Sequence, residues 1–460
     1  MVKYTLPGLL VLALCVAAGA DDKDPNLQTF ANADGHSRTF NANGAIDTTN
    51  PFFQDLGANG RRCVTCHQPH LGWSITPAHV VERFDASDGD DPLFRNNDGS
   101  NCEGALPQTV EEKRAAYSLL MARGLIRVGL DVPPNAEFEI FSVDDPYGCG
   151  AASNDVSVYR RPLPSTNLRF MTSIMWDGRE SSASSTLEQD LLHQANAATL
   201  GHAQAGVDIS PGQARQIVAF EMGLSTSQAL DNAAGNLKAE GATGGPQSLA
   251  RQPFFPGIND PVGLNPSGAP FTPNVFTLFD AWATLSRGDQ LERSAEWESR
   301  AAIARGQAIF NTKPFVLSGV SGLNGQMFPS GVTPPASFTG TCTICHDTPN
   351  VGNHSVKAPL DIGLADPSVA PYLPVYTLRH KVTQELLRTT DPGRALITGK
   401  WADVNRFKGP VLRGLAARAP YFHNGSAATL EEVVAFYERR FAIALTVREK
   451  ADLLAFLRAL

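Results

Sequence analysis

The chain has 460 residues, a formal net charge of −8, 42% hydrophobic and 18% charged residues. That length accommodates two or three domains with a sizeable core, and the composition is that of a globular protein, neither fibrous nor disordered. The acidic balance disfavours a nucleic-acid partner and favours a basic or locally basic protein.

Residues 1–20 read as a cleavable export signal. Lys3 supplies the positive start, residues 6–18 are mostly apolar, and Ala18-Gly19-Ala20 is an A-x-A cleavage site. The stretch is too short to span a membrane, and no later stretch is apolar for long enough, so no membrane insertion is expected. The mature chain would begin near Asp21 in the periplasm, with a net charge of −9 once Lys3 is removed. Of the seven cysteines, Cys15 leaves with the signal and four fall in the motifs described next. Cys102 and Cys149 remain, and two leftover thiols in an oxidising compartment are expected to pair.

Residues 21–60 are polar and predict an extended arm. They lead into Cys63-Val64-Thr65-Cys66-His67, and the same pattern recurs at Cys342-Thr343-Ile344-Cys345-His346. C-x-x-C-H is the attachment signature of haem c: both thiols bond the porphyrin, and the histidine is the proximal iron ligand. A zinc site would need four clustered ligands each time, so two covalently bound haem c groups are predicted. His70 and His79 follow the first motif as candidate partners of its iron.

A helix is expected over 109–127, then loop over 131–165. Next come Asn167 to Glu180, containing Trp176-Asp177-Gly178-Arg179, and a helix over 186–194. Ser210-Pro211-Gly212-Gln213 has the form of a capping box with proline at the first helical position, predicting a helix to Gly223. Residues 231–290, rich in Gly, Pro and Asn, predict a long ordered loop. A helix over 297–310 opens the second haem region, and 313–340 predicts a loop-rich insertion. Thr429-Leu430-Glu431-Glu432 and Thr446-Val447-Arg448-Glu449 predict two further capped helices. Leu430, Val433, Val434 and Tyr437 share a face of the first, and Leu453, Leu454, Leu457 and Leu460 form the stripe of the second.

These elements predict a mainly α fold: two class I cytochrome c-like haem domains in tandem, with long loop insertions, over 21–295 and 296–460. An electron-transfer haem usually carries Met or His opposite the proximal histidine. No methionine follows His346, which leaves His354, His380, His423, Tyr421 and Tyr437 as candidates.

The chain resembles the dihaem bacterial cytochrome c peroxidase and MauG superfamily. The likeness rests on the two spaced motifs, on Met175-Trp176-Asp177-Gly178-Arg179, on Gly409-Pro410-Val411-Leu412-Arg413-Gly414-Leu415, and on Ala419-Pro420-Tyr421-Phe422-His423-Asn424-Gly425-Ser426 leading to Thr429-Leu430-Glu431. It covers roughly 50–225 and 296–460.

The resemblance implies peroxide chemistry at the first haem, electron relay through the second, and Trp176 between them. It places the second haem's distal ligand at Tyr437, with His423 as the alternative. The family's distal Glu is missing: Asn196 stands at that offset, with His193, Gln194 and His202 nearby as candidate acid/base groups. The resemblance also implies a calcium ion between the domains near Arg161 and Pro420, a small cytochrome c or cupredoxin as electron donor, hydrogen peroxide or another small oxidant, and a homodimer. The alternatives are a MauG-like or rubber-oxygenase-like oxidation of an organic or protein substrate, and a non-catalytic dihaem electron carrier.

Overall fold

The capping signals in the sequence start helices in the computed structural model, which describes residues 26–149, 155–254, 272–287, 294–328 and 331–460. Thr109, Thr186, Ser210, Thr429 and Thr446 each accept a hydrogen bond from the backbone of the residue three positions on. This satisfies an otherwise orphaned N–H at a helix start. Among the described residues the longest helices are Leu187–Gly201, Pro211–Gly223, Ala295–Thr312, Leu430–Phe441 and Val447–Arg458. The expected export signal lies outside the described residues. Among the described residues, no helix is long and apolar enough to cross a membrane.

The fold is not mainly α. Helix accounts for 33% of the chain and strand for 17%, the latter in several sheets. The expected arm is a hairpin, Leu27–Asn32 with Gly35–Asn41, joined antiparallel to Leu224–Asp231. The helix expected over 109–127 is two short ones, Val110–Ala116 and Ser118–Arg123. The second stops at Gly124, whose φ of +62° is left-handed and ends a helix. Ile126–Asp131 is a strand paired with Asp155–Arg160. The insertion after Lys313 likewise holds the hairpin Phe315–Ser318 with Ser337–Gly340. Each of these strands is four to eight residues long, and short runs between turn residues give a weak period-two signal.

A three-stranded sheet crosses the expected domain boundary. Phe138–Asp144 pairs antiparallel with Val375–His380, which pairs with Leu386–Thr389. The described part of 231–290 also packs with the carboxyl-terminal helices. Phe276, Phe279 and Trp282 share a core with Phe310, Leu453, Leu454, Phe456 and Leu457. Helices Ala295–Thr312 and Val447–Arg458 approach closely at Gly306, where a Cβ would lie 1.9 Å from the Asp452 carbonyl oxygen. In the first half, Phe52, Trp73, Leu191, Ile217 and Phe220 form the corresponding core. Cys102 and Cys149 are disulfide-bonded, with Cα atoms 5.0 Å apart.

Candidate haem sites

Each C-x-x-C-H motif forms one wall of a large, mostly apolar cavity. The first cavity holds Cys63, Cys66 and His67 with about 1640 Å³ of empty space, and the second holds Cys342, Cys345 and His346 with about 1860 Å³, mouths included. Both histidines are oriented by their own chain. His67 Nδ1 donates to the Trp73 carbonyl at 3.1 Å, and His346 Nδ1 donates to the Gly352 carbonyl at 2.6 Å. A carbonyl only accepts, so Nδ1 carries the proton and Nε2 keeps its lone pair for a metal. Burial pushes the His67 imidazole down to about 4 and lowers that of His346, keeping both neutral as ligands require.

Trp176, Arg161, Lys408 and Arg418 line both cavities. The indole is fixed by a 2.8 Å hydrogen bond from Trp176 Nε1 to the Arg161 carbonyl. Asp177, the next residue, holds the segment down. It forms a buried ion pair with Arg160, which also makes two bonds to Asp391 at 2.7 and 2.9 Å. Burial alone would raise the Asp177 carboxyl, but Arg160 and Arg179 outweigh it and hold it at about 2.

In the second cavity, Tyr437, His423, His354 and Tyr421 all line the walls, whereas His380 does not. His380 instead accepts from the Val382 and Thr383 amides. Tyr421 donates to the Leu415 carbonyl at 3.0 Å. His423 is 1% exposed and stacked on Phe407 at 3.9 Å, and its Nε2 lies 3.9 Å from an Asp391 carboxylate oxygen. Burial pushes it down to about 4. Tyr437 stacks on Phe441 with its ring planes 17° apart, and its hydroxyl has no hydrogen-bond partner among the described residues. Burial, and then the neighbouring Cys345 and Cys342, raise the Tyr437 phenol above its ordinary value.

In the first cavity, His202 and Gln194 line the wall, and His193, Asn196, His70 and His79 do not. His193 is an exposed side chain bonded to Glu180 at 2.6 Å. Asn196 caps a turn by donating to Asp208 and accepting from the Ile209 amide. His70 and His79 pack on each other, 5.0 Å between ring centroids. His202 Nδ1 is bonded to the buried carboxylate of Asp98, which Arg61 also pairs. Helix Leu187–Gly201 delivers His202 at its C-cap.

Sequence reasoning missed Met171, Met175, Glu221 and Lys408, all of which line the first cavity. Glu221 is 6% exposed, and burial pushes its carboxyl up to about 7. Met171, Glu221 and Lys408 fall in no site motif, Met175 was quoted only as the start of the Trp176 motif, and only the fold shows that these side chains reach a cavity.

These residues fit covalently held haem c. Each cavity offers two thiols, an oriented imidazole and apolar walls. Lys408 Nζ, Arg418 Nε and Arg413 Nη2 are buried with no hydrogen-bond partner. Unpaired buried cations are costly unless an anion joins them, and haem brings carboxylates. Among the described residues, no group of three or more His, Cys, Asp and Glu side chains could hold a metal ion by itself.

Comparison with known proteins agrees. A family model described as RoxA-like, cytochrome c-like matches residues 406–442. Cytochrome-c peroxidase IdrP2 of Denitromonas iodatirespirans is 36% identical over 139 residues, covering 27% of this chain and 37% of that protein. Cytochrome-c peroxidase IdrP1 of Pseudomonas sp. (strain SCT) is 32% identical over 147 residues, 27% of this chain and 38% of that protein. Cytochrome c551 peroxidase of Nitrosomonas europaea is 36% identical over 98 residues, 21% of this chain and 23% of that protein. The matches thus span less than two-fifths of these relatives. A solved structure, a MauG-like protein associated with microbial copper homeostasis, aligns over 65% of this chain and 75% of its own at 18% identity and a TM-score of 0.30, too distant to carry an argument. With its two C-x-x-C-H cavities, the chain is similar over part of its length to cytochrome-c peroxidases and to a RoxA-like cytochrome c.

Proposed function

We propose that this protein is a periplasmic dihaem oxidoreductase that reduces hydrogen peroxide in the His67 cavity with electrons received through the His346 cavity. The single observation that carries the reading is the position of Trp176 in the wall of both cavities, held by Arg161. Haem, when bound, supplies one-electron chemistry and a site for peroxide.

The chain's own residues do the rest. His67 and His346 present Nε2 to the metals. Tyr437 is the proposed distal ligand of the second haem, because it lines that cavity and its hydroxyl, unpartnered among the described residues, is the group that a cation would complete. His423 is the lesser candidate, since stacking on Phe407 holds its ring. Lys408, Arg413 and Arg418 take the haem carboxylates. In the first cavity, His202 is the proposed acid/base group: Asp98 fixes Nδ1, so Nε2 is the atom left to move a proton. Trp176 is a large, oxidisable ring on the path between the sites.

A second reading, oxidation of an organic or protein substrate, is favoured by Tyr437 standing where peroxidases carry Met, and by the RoxA-like match. One experiment separates them: peroxide is supplied with a reduced small cytochrome c or cupredoxin, and donor oxidation is followed. Peroxide-dependent turnover is expected. In Trp176→Phe it should fall more than tenfold with both haems still attached. Donor left reduced while peroxide is consumed would defeat the peroxidase reading, and a Trp176→Phe rate equal to wild type would remove the indole from the path.

A further inference from the structure

Four backbone carbonyl oxygens converge on one side chain where the two halves meet. Arg161 Nη2 donates to Ile75 O at 2.5 Å and Arg418 O at 3.3 Å, and Nη1 donates to Arg123 O at 3.2 Å and Gly124 O at 3.3 Å. Three of these oxygens belong to the first half of the chain and the fourth to the second. The Arg161 main chain joins the same halves. Its amide donates to the His423 carbonyl at 2.6 Å, and its carbonyl accepts from Trp176 Nε1. Arg161 is 4% exposed and has no carboxylate partner among the described residues.

Converging carbonyls are a ligand set for a hard cation such as calcium, and the family resemblance places calcium near Arg161 and Pro420. Here a guanidinium already takes those lone pairs. Arg418, whose Nη2 donates to the Val411 carbonyl, adds a second positive charge beside it. A divalent ion would have to displace one cation and stand against another. The local chain is also shaped for the guanidinium: a Cβ at Gly124 would lie 1.9 Å from Arg161 Nη1, at a φ of +62°. Burial pushes Arg161 down to about 9, so it still carries its charge near neutral pH.

We propose that Arg161 is a built-in cation that clamps the two halves through their carbonyls, so that this interface takes no calcium. Arg161 acts as a positioning residue, setting the wall that carries Trp176. The idea goes beyond the catalytic reading and stands without it.

The test uses the haem-loaded protein. Elemental analysis should find no stoichiometric calcium, and the thermal midpoint should be the same in EGTA and in added calcium. Arg161→Ala should melt several degrees lower and recover in part with guanidinium ion at non-denaturing concentration, but not with sodium chloride of the same ionic strength. Calcium that EGTA removes, a midpoint that falls in EGTA, or an Arg161→Ala midpoint equal to wild type would each overturn the clamp. Should the alanine variant not accumulate, Arg161→Lys replaces it. Three donors for four carbonyls should give a smaller fall, and an unmoved midpoint counts against the proposal.

Discussion

Lys408 Nζ lies 5.7 Å from the centroid of the Trp176 indole, and the Lys408 amide donates to the Trp176 carbonyl at 2.9 Å. One residue thus holds the backbone of the tryptophan and sets a cation over its ring. Burial, and then Arg418, push the Lys408 amine down to about 7. A carboxylate carried in by either haem would restore its charge.

Replacing Lys408 should therefore be felt at both irons. Lys408→Met removes a cation shared by the two cavities, and a nearby positive charge favours the reduced state. Both midpoint potentials should fall, each by on the order of tenfold in the reduction equilibrium, about 59 mV. A spectroelectrochemical titration checks this. A shift at one haem alone would mean that Lys408 serves one cavity.

Tyr437→Phe should change the second haem and spare the first. With Tyr437 as the proposed ligand, losing the hydroxyl would leave that iron one ligand short, so its absorption and paramagnetic resonance spectra should move to high spin or show a replacement ligand. Phenolate lowers the potential, so its loss should raise it. An unchanged spectrum and potential would make Tyr437 a packing residue and leave His423 as the better candidate.

Glu221 should make stability fall as pH rises. Its folded carboxyl is raised to about 7 from an ordinary 4.5. Below about 4.5 both states are protonated and burial costs nothing extra. Between about 4.5 and 7 the unfolded chain releases a proton that the folded chain keeps, so stability declines, with the whole penalty present above 7. At about 1.4 kcal/mol per pH unit this amounts to roughly 3 kcal/mol. Glu221→Gln should flatten denaturant midpoints measured between pH 4 and 8. An identical slope in the variant would clear Glu221.

Removing the Cys102–Cys149 bridge frees a loop closed across a sequence separation of 47. Loop-closure entropy gives about 4 kcal/mol of stabilisation for a loop of that size. The double Cys102→Ser, Cys149→Ser variant should lose up to that much in urea titrations while keeping its haem-stained band on denaturing gels. A loss of haem would tie the loop to cofactor attachment instead.

What could be read from the sequence was whatever local chemistry dictates. C-x-x-C-H names its own cofactor because thiol, thiol and imidazole must fall within one turn. The capping boxes at Ser210, Thr429 and Thr446 fixed helix starts, because a cap satisfies backbone donors only three residues away. Two spare cysteines in a chain read as exported named the disulfide. Tertiary structure alone decided the rest. The strands at 126–131, 138–144 and 375–380 are short; the first pairs with residues 24 to 34 positions away, from Asp131–Asp155 to Ile126–Arg160, and the other two pair with each other across 231 to 242 positions, from Val375–Asp144 to His380–Phe138; no local period carries such a bond. His193 and His202 looked alike in sequence, yet the helix Leu187–Gly201 turns one to solvent and delivers the other to Asp98 and the first cavity. Lys408, Glu221 and Arg161 acquired their meaning only from burial, because a charged group becomes informative when the fold removes its water and shows what replaces it.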